Sequence, residues 1–546
     1  MPETVVNIAR HLPLMAGSRP SSPAIKIPRG RTRRGDIDYL TLSFAELEAE
    51  AAAWQTRLTS AGVQRGDRTL VMVRPGLPLI ASVFALFALG AVPVVIDPGM
   101  GLKSFLSCVA RSQPRALLGI PMAQLISRVA RRSFLGVKVR VTARGALDAR
   151  LTRPGAAGKL ALAPTEANEL AAVLFTSGST GAPKGVCYEH GMFEAQVRLL
   201  LRTYEIAPGE VDLPLLAVFA LFNPALGMTT VVPELDPRRP ASVDPAKIVQ
   251  AIRQEQVTNS FGSPTLWRKI GDHCLAHKIA LPTLRRVLCA GAPVPASLWA
   301  DAPRFLTGGQ LHSPYGATEA LPVSSISAAE AALASVNGAC VGKPVPEIEA
   351  RIIAIDDEPL PTLAAARVLP PGEIGEIIVR GPVVTELYDA LYQETQAAKI
   401  ADRATGQVWH RMGDTGYLDA EGRLWFCGRK AERVVTPSGT LFTEPCEQVF
   451  RRHPRVRRCA LVGLGPRGQQ RPALVVESSA RGAAARRLVT ELRALAVHHA
   501  HTAAIETFFL RPKFPVDVRH NAKIHRLTLA KWAATARPVA WEAATA

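Results

Sequence analysis

Between positions 174 and 190 the chain reads LFTSGSTGAPKGVCYEH. The apolar run LAAVLF, starting at Leu170, leads into it and has the composition of a buried strand. Behind that strand come four hydroxyls (Thr176, Ser177, Ser179 and Thr180), three glycines (Gly178, Gly181 and Gly185) and one cation, Lys184. Glycine lets backbone N–H groups approach a ligand unobstructed, and successive amides in a turn form a concavity for anions. Hydroxyl donors and one ammonium complete a loop suited to phosphate groups. It is not a Walker loop, because Pro183 rather than glycine precedes the lysine. A flexible surface turn is the plain alternative, and this density of donors directly behind a buried strand weighs against it.

The surrounding sequence repeats the strand-then-helix grammar. RTLVMV at Arg68, AVPVVI at Ala91, TNSFGS at Thr258 and RRVLCAG at Arg285 read as strands. Residues 44–61 and 244–255 read as helices, the second opening on Asp244-Pro245, a cap followed by proline in the first turn. The alternation predicts an α/β fold with largely parallel sheets. After about Asn337 the pattern changes. GKPVPEIEARIIAID and GEIGEIIVRGP alternate apolar and polar residues between Gly and Pro, which predicts a β-rich subdomain with tight turns. GYLDAEGRLWFCGR predicts a hairpin turning at Glu421-Gly422. Past Arg429, RRCALVGLG and RPALVVESS read as strands and residues 484–499 as helix. The expected organisation is a large multi-subdomain α/β body over 1–429 and a small, mobile α+β cap over 430–546.

A chain of 546 residues exceeds one ordinary core, and 48% hydrophobic with 20% charged residues excludes a disordered polymer. The net charge is +19, and it is uneven: 20 Lys and Arg face 8 Asp and Glu over 430–546, a balance of +12. Nucleic acid, an anionic membrane surface or an acidic protein would each answer such a balance, as would arginines on solvated helix faces. No RNA-type or helix-turn-helix pattern supports nucleic acid. Eight scattered cysteines without a CxxC pair predict a reducing compartment with neither zinc site nor disulfide framework. The uncharged run GLPLIASVFALFALGAVPVVI, 76–96, approaches the length of a membrane span. Pro78, Gly90 and Pro93 instead predict a buried helix from about 78 to 89 and then a strand. With no secretory signal at the start, a soluble cytoplasmic protein is expected.

TSGSTGAPKG resembles the phosphate loop of the adenylate-forming superfamily of acyl-CoA synthetases, adenylation domains and luciferases. Further stretches resemble its other motifs, in the same order. CAGAPVP, with Gly291, Ala292 and Pro293, resembles the purine-facing strand end. SPYGATE, with Tyr315, Gly316, Thr318 and Glu319, resembles the adenine and magnesium segment. RMGDTGYLD carries Asp414 at the ribose-binding position, and GRK places Arg429 against the ribose and Lys430 at the hinge. FPVDVRHNAKIHR puts Lys523 where the family keeps its catalytic lysine. The resemblance implies ATP and Mg²⁺ as cofactors. Asp414 would accept both ribose hydroxyls, and Glu319, a hard oxygen donor, would hold Mg²⁺. Thr318 would donate to the α-phosphate, and Lys523 would stabilise charge in the transition state.

Two departures narrow the reading. Ala217 stands where many acyl-CoA synthetases keep a histidine, and GRKAERVVTPSGTLFTEPCE lacks the usual hinge pattern behind the thiol tunnel. With VPVVIDPGMGLKSFL and RPKFPVDVRHNAKIHR, these segments resemble the ATP-dependent β-lactone synthetases of bacterial long-chain olefin biosynthesis. The resemblance implies a long-chain 2-alkyl-3-hydroxy acid as substrate, whose own hydroxyl would close the ring. It also implies assembly with other olefin-pathway enzymes, notably an α/β-hydrolase-type β-lactone decarboxylase. The apolar stretch 213–226 would suit alkyl chains or serve as ordinary core. A long-chain fatty acyl-CoA or acyl-AMP ligase is the second reading. A non-catalytic scaffold is the third, against which Lys184, Glu319, Asp414 and Lys523 all stand. His190 matches a family position at a strand-to-helix junction, where a structural role is expected.

Overall fold

The computed structural model describes residues 6–176, 182–236, 242–331, 337–516 and 524–541. They form two compact units. The first gathers Met1–Ala329, Val345–Ile348 and Arg380–Lys399; the second gathers Glu330–Pro344, Glu349–Val379 and Ile400–Ala546. The 429/430 junction therefore falls inside the second unit.

Two sheets organise the first unit. In one, the strands run in the order Val139–Thr142, Ala116–Gly119, Arg68–Met72, Val92–Ile96, Leu170–Thr176 and Lys184–Glu189. The first five are parallel and the last is antiparallel. In the other, Arg286–Cys289 lies between Asn259–Gly262 and Gln310–Ala317, all parallel. Antiparallel Ala320–Ser327 flanks Gln310–Ala317, and the Pro23–Arg31/Ile37–Ser43 hairpin closes the far end. The α/β expectation is met. The hairpin carries four arginines, at 29, 31, 33 and 34, in its exposed half, and these interrupt the short alternations Ile25-Lys26-Ile27 and Leu40-Thr41-Leu42 that would otherwise mark it in the sequence.

Helix ends follow their caps. Ser43 and Glu46 form a reciprocal capping box at the start of Phe44–Ser60. Asp244 accepts from Ala246 N–H (3.0 Å) at the start of Pro245–Gln254. The long uncharged run resolves into helix Leu77–Ala88, which buries eleven of its twelve residues, and strand Val92–Ile96. Gly90 makes the turn at φ +66°. Among the described residues no helix is long and apolar enough to cross a membrane.

His190 opens helix His190–Tyr204, and its Nδ1 accepts from Ile8 N–H (3.2 Å). Its ring is almost fully buried and packs edge-on against Phe87. Burial pulls its pKa down to about 4, so at neutral pH it is an uncharged acceptor that pins the N-terminal segment.

The second unit has its own cores. Gly375–Arg380, Gln407–Leu418, Leu424–Arg429 and Ala339–Pro344 form an antiparallel series, with the expected hairpin turning at Asp419–Arg423. Cys459–Leu464, Arg471–Glu477 and Thr507–Arg511 make a three-stranded sheet covered by Thr443–Arg451, Gly482–Val497 and Arg526–Ala533. Half-buried Arg526 ties the helix Arg526–Ala533 down through Glu447 (2.7 Å) and Glu432 (3.2 Å). All eight cysteines are free thiols, and seven are buried.

The His190 environment predicts a pH dependence. The unfolded chain takes up a proton near pH 6.5 and the folded chain only near 4, so stability falls as pH drops through that window. His190→Asn keeps an acceptor for Ile8 N–H without titrating. Thermal unfolding followed from pH 7 to 4 should be measurably flatter for the variant.

Candidate active site

The phosphate-loop motif lies at the carboxyl end of a parallel strand. Leu170–Thr176 and Lys184–Glu189 pair with Thr176 opposite Lys184, so the loop joins two strands of one hairpin. Ser177, Gly178, Ser179 and Thr180 lie outside the described residues. The loop's far end is held by Arg111, whose guanidinium donates to Pro183 O (2.6 Å). Next to Lys184, a Cβ on Gly185 would come within 2.7 Å of the Phe175 ring, so the hairpin closes only around glycine.

In the other sheet of this unit, the purine and magnesium motifs occupy neighbouring strand ends. Gly291 (φ +94°), Ala292 and Pro293 follow Arg286–Cys289, and Ala290 N–H bonds Gly262 O (3.0 Å) on the adjacent strand. Tyr315 and Gly316 end Gln310–Ala317, where the register shifts between Tyr315 and Ala317. A Cβ on Gly316 would lie 2.6 Å from Ala320 O, so the bulge requires glycine. Thr318 and Glu319 then form the turn into Ala320–Ser327. Carboxyl ends of adjacent parallel strands are where open α/β sheets hold their ligands.

Residues outside every motif fix that turn. Tyr388 O–H donates to Glu319 Oε1 (2.7 Å). Tyr188 O–H donates to Thr318 O. Thr385 bonds Glu319 O through its N–H (2.9 Å) and its hydroxyl (3.2 Å). Buried Lys399 in turn donates to Thr385 O. Two ammonium groups flank the Tyr388 ring, Lys184 at 4.6 Å and Lys399 at 5.9 Å. One tyrosine thus links the Lys184 ammonium to the Glu319 carboxylate. Burial, reinforced by Glu319, drives the Tyr388 phenol far above its ordinary pKa, so it acts as a donor. Burial brings Lys399 down to about 7.

Tyr388 is placed by a backbone bridge to Val186, an Asp389 N–H bond to Gly185 O (2.7 Å) and an Arg68–Asp389 ion pair (2.8 Å). Sequence reading missed this group because TELYDALYQETQAAKI has no periodicity and no recognisable spacing. The one available signal was a basic residue, Lys399, adjoining the apolar pair Ile400-Ala401.

The apolar stretch 213–226 divides. Leu213 and Leu215 are core, while half-buried Phe219 stacks on Phe261 at 3.6 Å. Phe261 lies near the carboxyl end of its strand, beside Gly262.

The second unit holds the other predicted residues. Asp414 and Arg429 are cross-strand partners joined by an ion pair of 2.9 Å, with Asp414 buried. Lys430 follows directly and reaches buried Glu376 (3.0 Å), which also pairs with Arg411 (2.6 Å). Burial lowers the Lys430 pKa, with Glu376 opposing. Lys523 lies outside the described residues; Val516 and Ile524 bridge on either side of its segment.

The AMP-binding enzyme family matches residues 18–389, and the chain belongs to that family. End to end it is similar to the olefin β-lactone synthetase of Xanthomonas campestris, 46% identical over 551 residues that cover 98% of each chain. A second olefin β-lactone synthetase, from Stenotrophomonas maltophilia, is 45% identical over 96% of this chain and 98% of its own. Among solved structures, the amide bond synthetase McbA from Marinactinospora thermotolerans shares the fold, with a TM-score of 0.77 at 24% identity, covering 96% and 99% of the two chains.

Tyr388→Phe removes one hydrogen bond to a charged group, worth about 1.5–3 kcal/mol. ATP–pyrophosphate exchange should fall about 10- to 100-fold, with a raised Mg²⁺ requirement and an unchanged circular dichroism spectrum.

Proposed function

We propose that this chain is an ATP-dependent β-lactone synthetase acting on a long-chain 2-alkyl-3-hydroxy acid. The observation that carries the reading is the 46% identity, over 98% of both chains, to a protein named an olefin β-lactone synthetase. In the first step a carboxylate oxygen of the substrate attacks the α-phosphorus of ATP and pyrophosphate leaves. In the second, the 3-hydroxyl oxygen attacks the activated carbonyl, loses its proton, and displaces AMP as the four-membered ring closes. The bound acyl-adenylate holds nucleophile and electrophile in one molecule, so no thiol acceptor is required.

The chain's residues take the following parts. Lys184 and the hydroxyl-rich loop 176–180 bind the phosphates, with Thr318 donating to the α-phosphate. Gly291, Ala292, Pro293, Tyr315 and Gly316 receive the adenine. Asp414 accepts from the ribose hydroxyls, oriented by Arg429, and Lys523 meets the charge that develops during adenylation. Glu319 fits Mg²⁺. Its carboxylate is a hard donor fixed by the Tyr388 hydroxyl, and no cluster of three potential ligands exists among the described residues. That donor set suits an ion completed by substrate phosphates, whose charge it would neutralise. Lys430 is the point at which the C-terminal segment turns between the two steps. The ring product is suited to an α/β-hydrolase-type decarboxylase as partner, and co-elution with such an enzyme at low but not high salt would test the basic 430–546 segment as the contact.

Pure protein incubated with ATP, Mg²⁺ and a racemic 2-alkyl-3-hydroxy acid, without CoA, should yield a β-lactone ring signal in the proton NMR spectrum of the organic extract. Lys430→Pro should still form acyl-adenylate and give little or no lactone, since proline fixes the backbone at the turning point. A product that appears only with CoA, as thioester, would reassign the chain to the acyl-CoA ligases.

A further inference from the structure

Residues 98–147 contain nine Lys and Arg and no Asp or Glu. They lie in the first unit and include the helix Leu102–Ser112, the strand Ala116–Gly119, the helix Pro121–Val129, a 3₁₀ turn Arg131–Phe134 and the edge strand Val139–Thr142.

Pro121–Val129 is amphipathic in the wrong sense for a core helix. Its buried residues are Ala123, Gln124 and Ser127. The Gln124 amide donates to Val141 O (3.0 Å), so a polar face docks the helix on the sheet. Met122, Leu125 and Val129, spaced along one stripe, are 60%, 53% and 79% exposed, and Leu135 just beyond is 82% exposed. Beside the stripe, Arg128, Arg131 and Arg140 surround a groove whose apolar lining includes Phe134 and Leu135. Arg131 bonds Arg128 O (3.2 Å) and Arg140 bonds Val137 O (3.2 Å). Among the described residues none of Arg128, Arg131, Arg132, Lys138 and Arg140 makes an ion pair.

We propose that this face, the outward apolar stripe of Pro121–Val129 with its arginine surround, docks on an anionic lipid surface. Apolar side chains on one face of a short helix, rimmed by long cationic side chains, match the boundary between headgroups and acyl chains. The charge complementarity is one-sided: fifty residues supply cations and apolar groups and no carboxylate to answer a protein's own cations. An acidic protein would answer the cations alone, whereas a lipid surface answers both features at once, its headgroups the cations and its acyl boundary the exposed stripe. The surface is distinct from the phosphate loop and the Glu319 turn, and the inference stands whichever acid the enzyme activates.

Co-sedimentation of the full chain with phosphatidylcholine vesicles, with and without one quarter phosphatidylglycerol, tests it. Partition should rise at least ten-fold with phosphatidylglycerol in 0.1 M salt and fall steeply in 0.5 M salt. Arg131→Gln with Arg132→Gln should lower it roughly 25-fold, at about five-fold per charge. Leu125→Ser with Val129→Ser should lower it about ten-fold at unchanged net charge. Both pairs should keep the wild-type unfolding midpoint in solution. No preference for phosphatidylglycerol would overturn the proposal. So would binding undiminished in both pairs, which would move the contact to basic residues elsewhere. A wild-type dimer that the Leu125/Val129 pair converts to monomer would overturn it too, making the face an interface between copies.

Discussion

A strand in the middle of a parallel sheet surrenders its backbone groups to its neighbours and its side chains to the layers above and below. Leu170–Thr176 is such a strand, bonded to Val92–Ile96 on one side and Lys184–Glu189 on the other. Nothing along its length is free to meet a ligand. What it can offer is its end, where the ladder stops and the chain must turn. The same holds for Arg286–Cys289 and Gln310–Ala317. Each motif that resembles a nucleotide-binding element in this unit spans the point where one of these strands runs out. The site is the set of places the sheets leave unfinished.

Strand ends alone do not fix a carboxylate. Glu319 sits in a two-residue turn, and the structure constrains it from three sides: main chain through Thr385, neighbouring carbonyl through Tyr188, side chain through Tyr388. Tyr388 does a second job, offering its ring to Lys184 while its hydroxyl holds Glu319. The loop cation and the turn carboxylate thus have a common support within one rigid neighbourhood. Pre-set geometry of this kind spares reorganisation when charge develops during reaction.

The sequence displayed most of this fold through periodicity and punctuation. Leu170, Val92 and Arg286 begin strands close to where apolar runs begin, and Asp244-Pro245 starts a helix. The motif residues were legible because their chemistry needs particular types at fixed spacing. Tyr388, Tyr188, Thr385 and Lys399 were not, since they act through contacts between segments far apart in the chain, such as Lys184 with Tyr388, which leave no local pattern. Lys399 is instructive: a lysine in sequence reads as surface, and only the fold reveals it buried against the Thr385 carbonyl. The basic balance of 430–546 is legible from its size alone. The carboxylate-free stretch 98–147 is smaller in charge, and its meaning depends on which side of one helix faces out.

Glu376 is fully buried, yet it carries two cations, Arg411 and Lys430. Stripping a buried carboxylate of its sole partner is severe, because an uncompensated charge remains inside. Here the Arg411 guanidinium contacts both carboxylate oxygens by itself. Lys430 is therefore a redundant partner: its amine can depart toward water and leave Glu376 neutralised. The Lys430 contact can break without leaving an unpaired charge beneath it, as a clasp opens while the seam stays sewn.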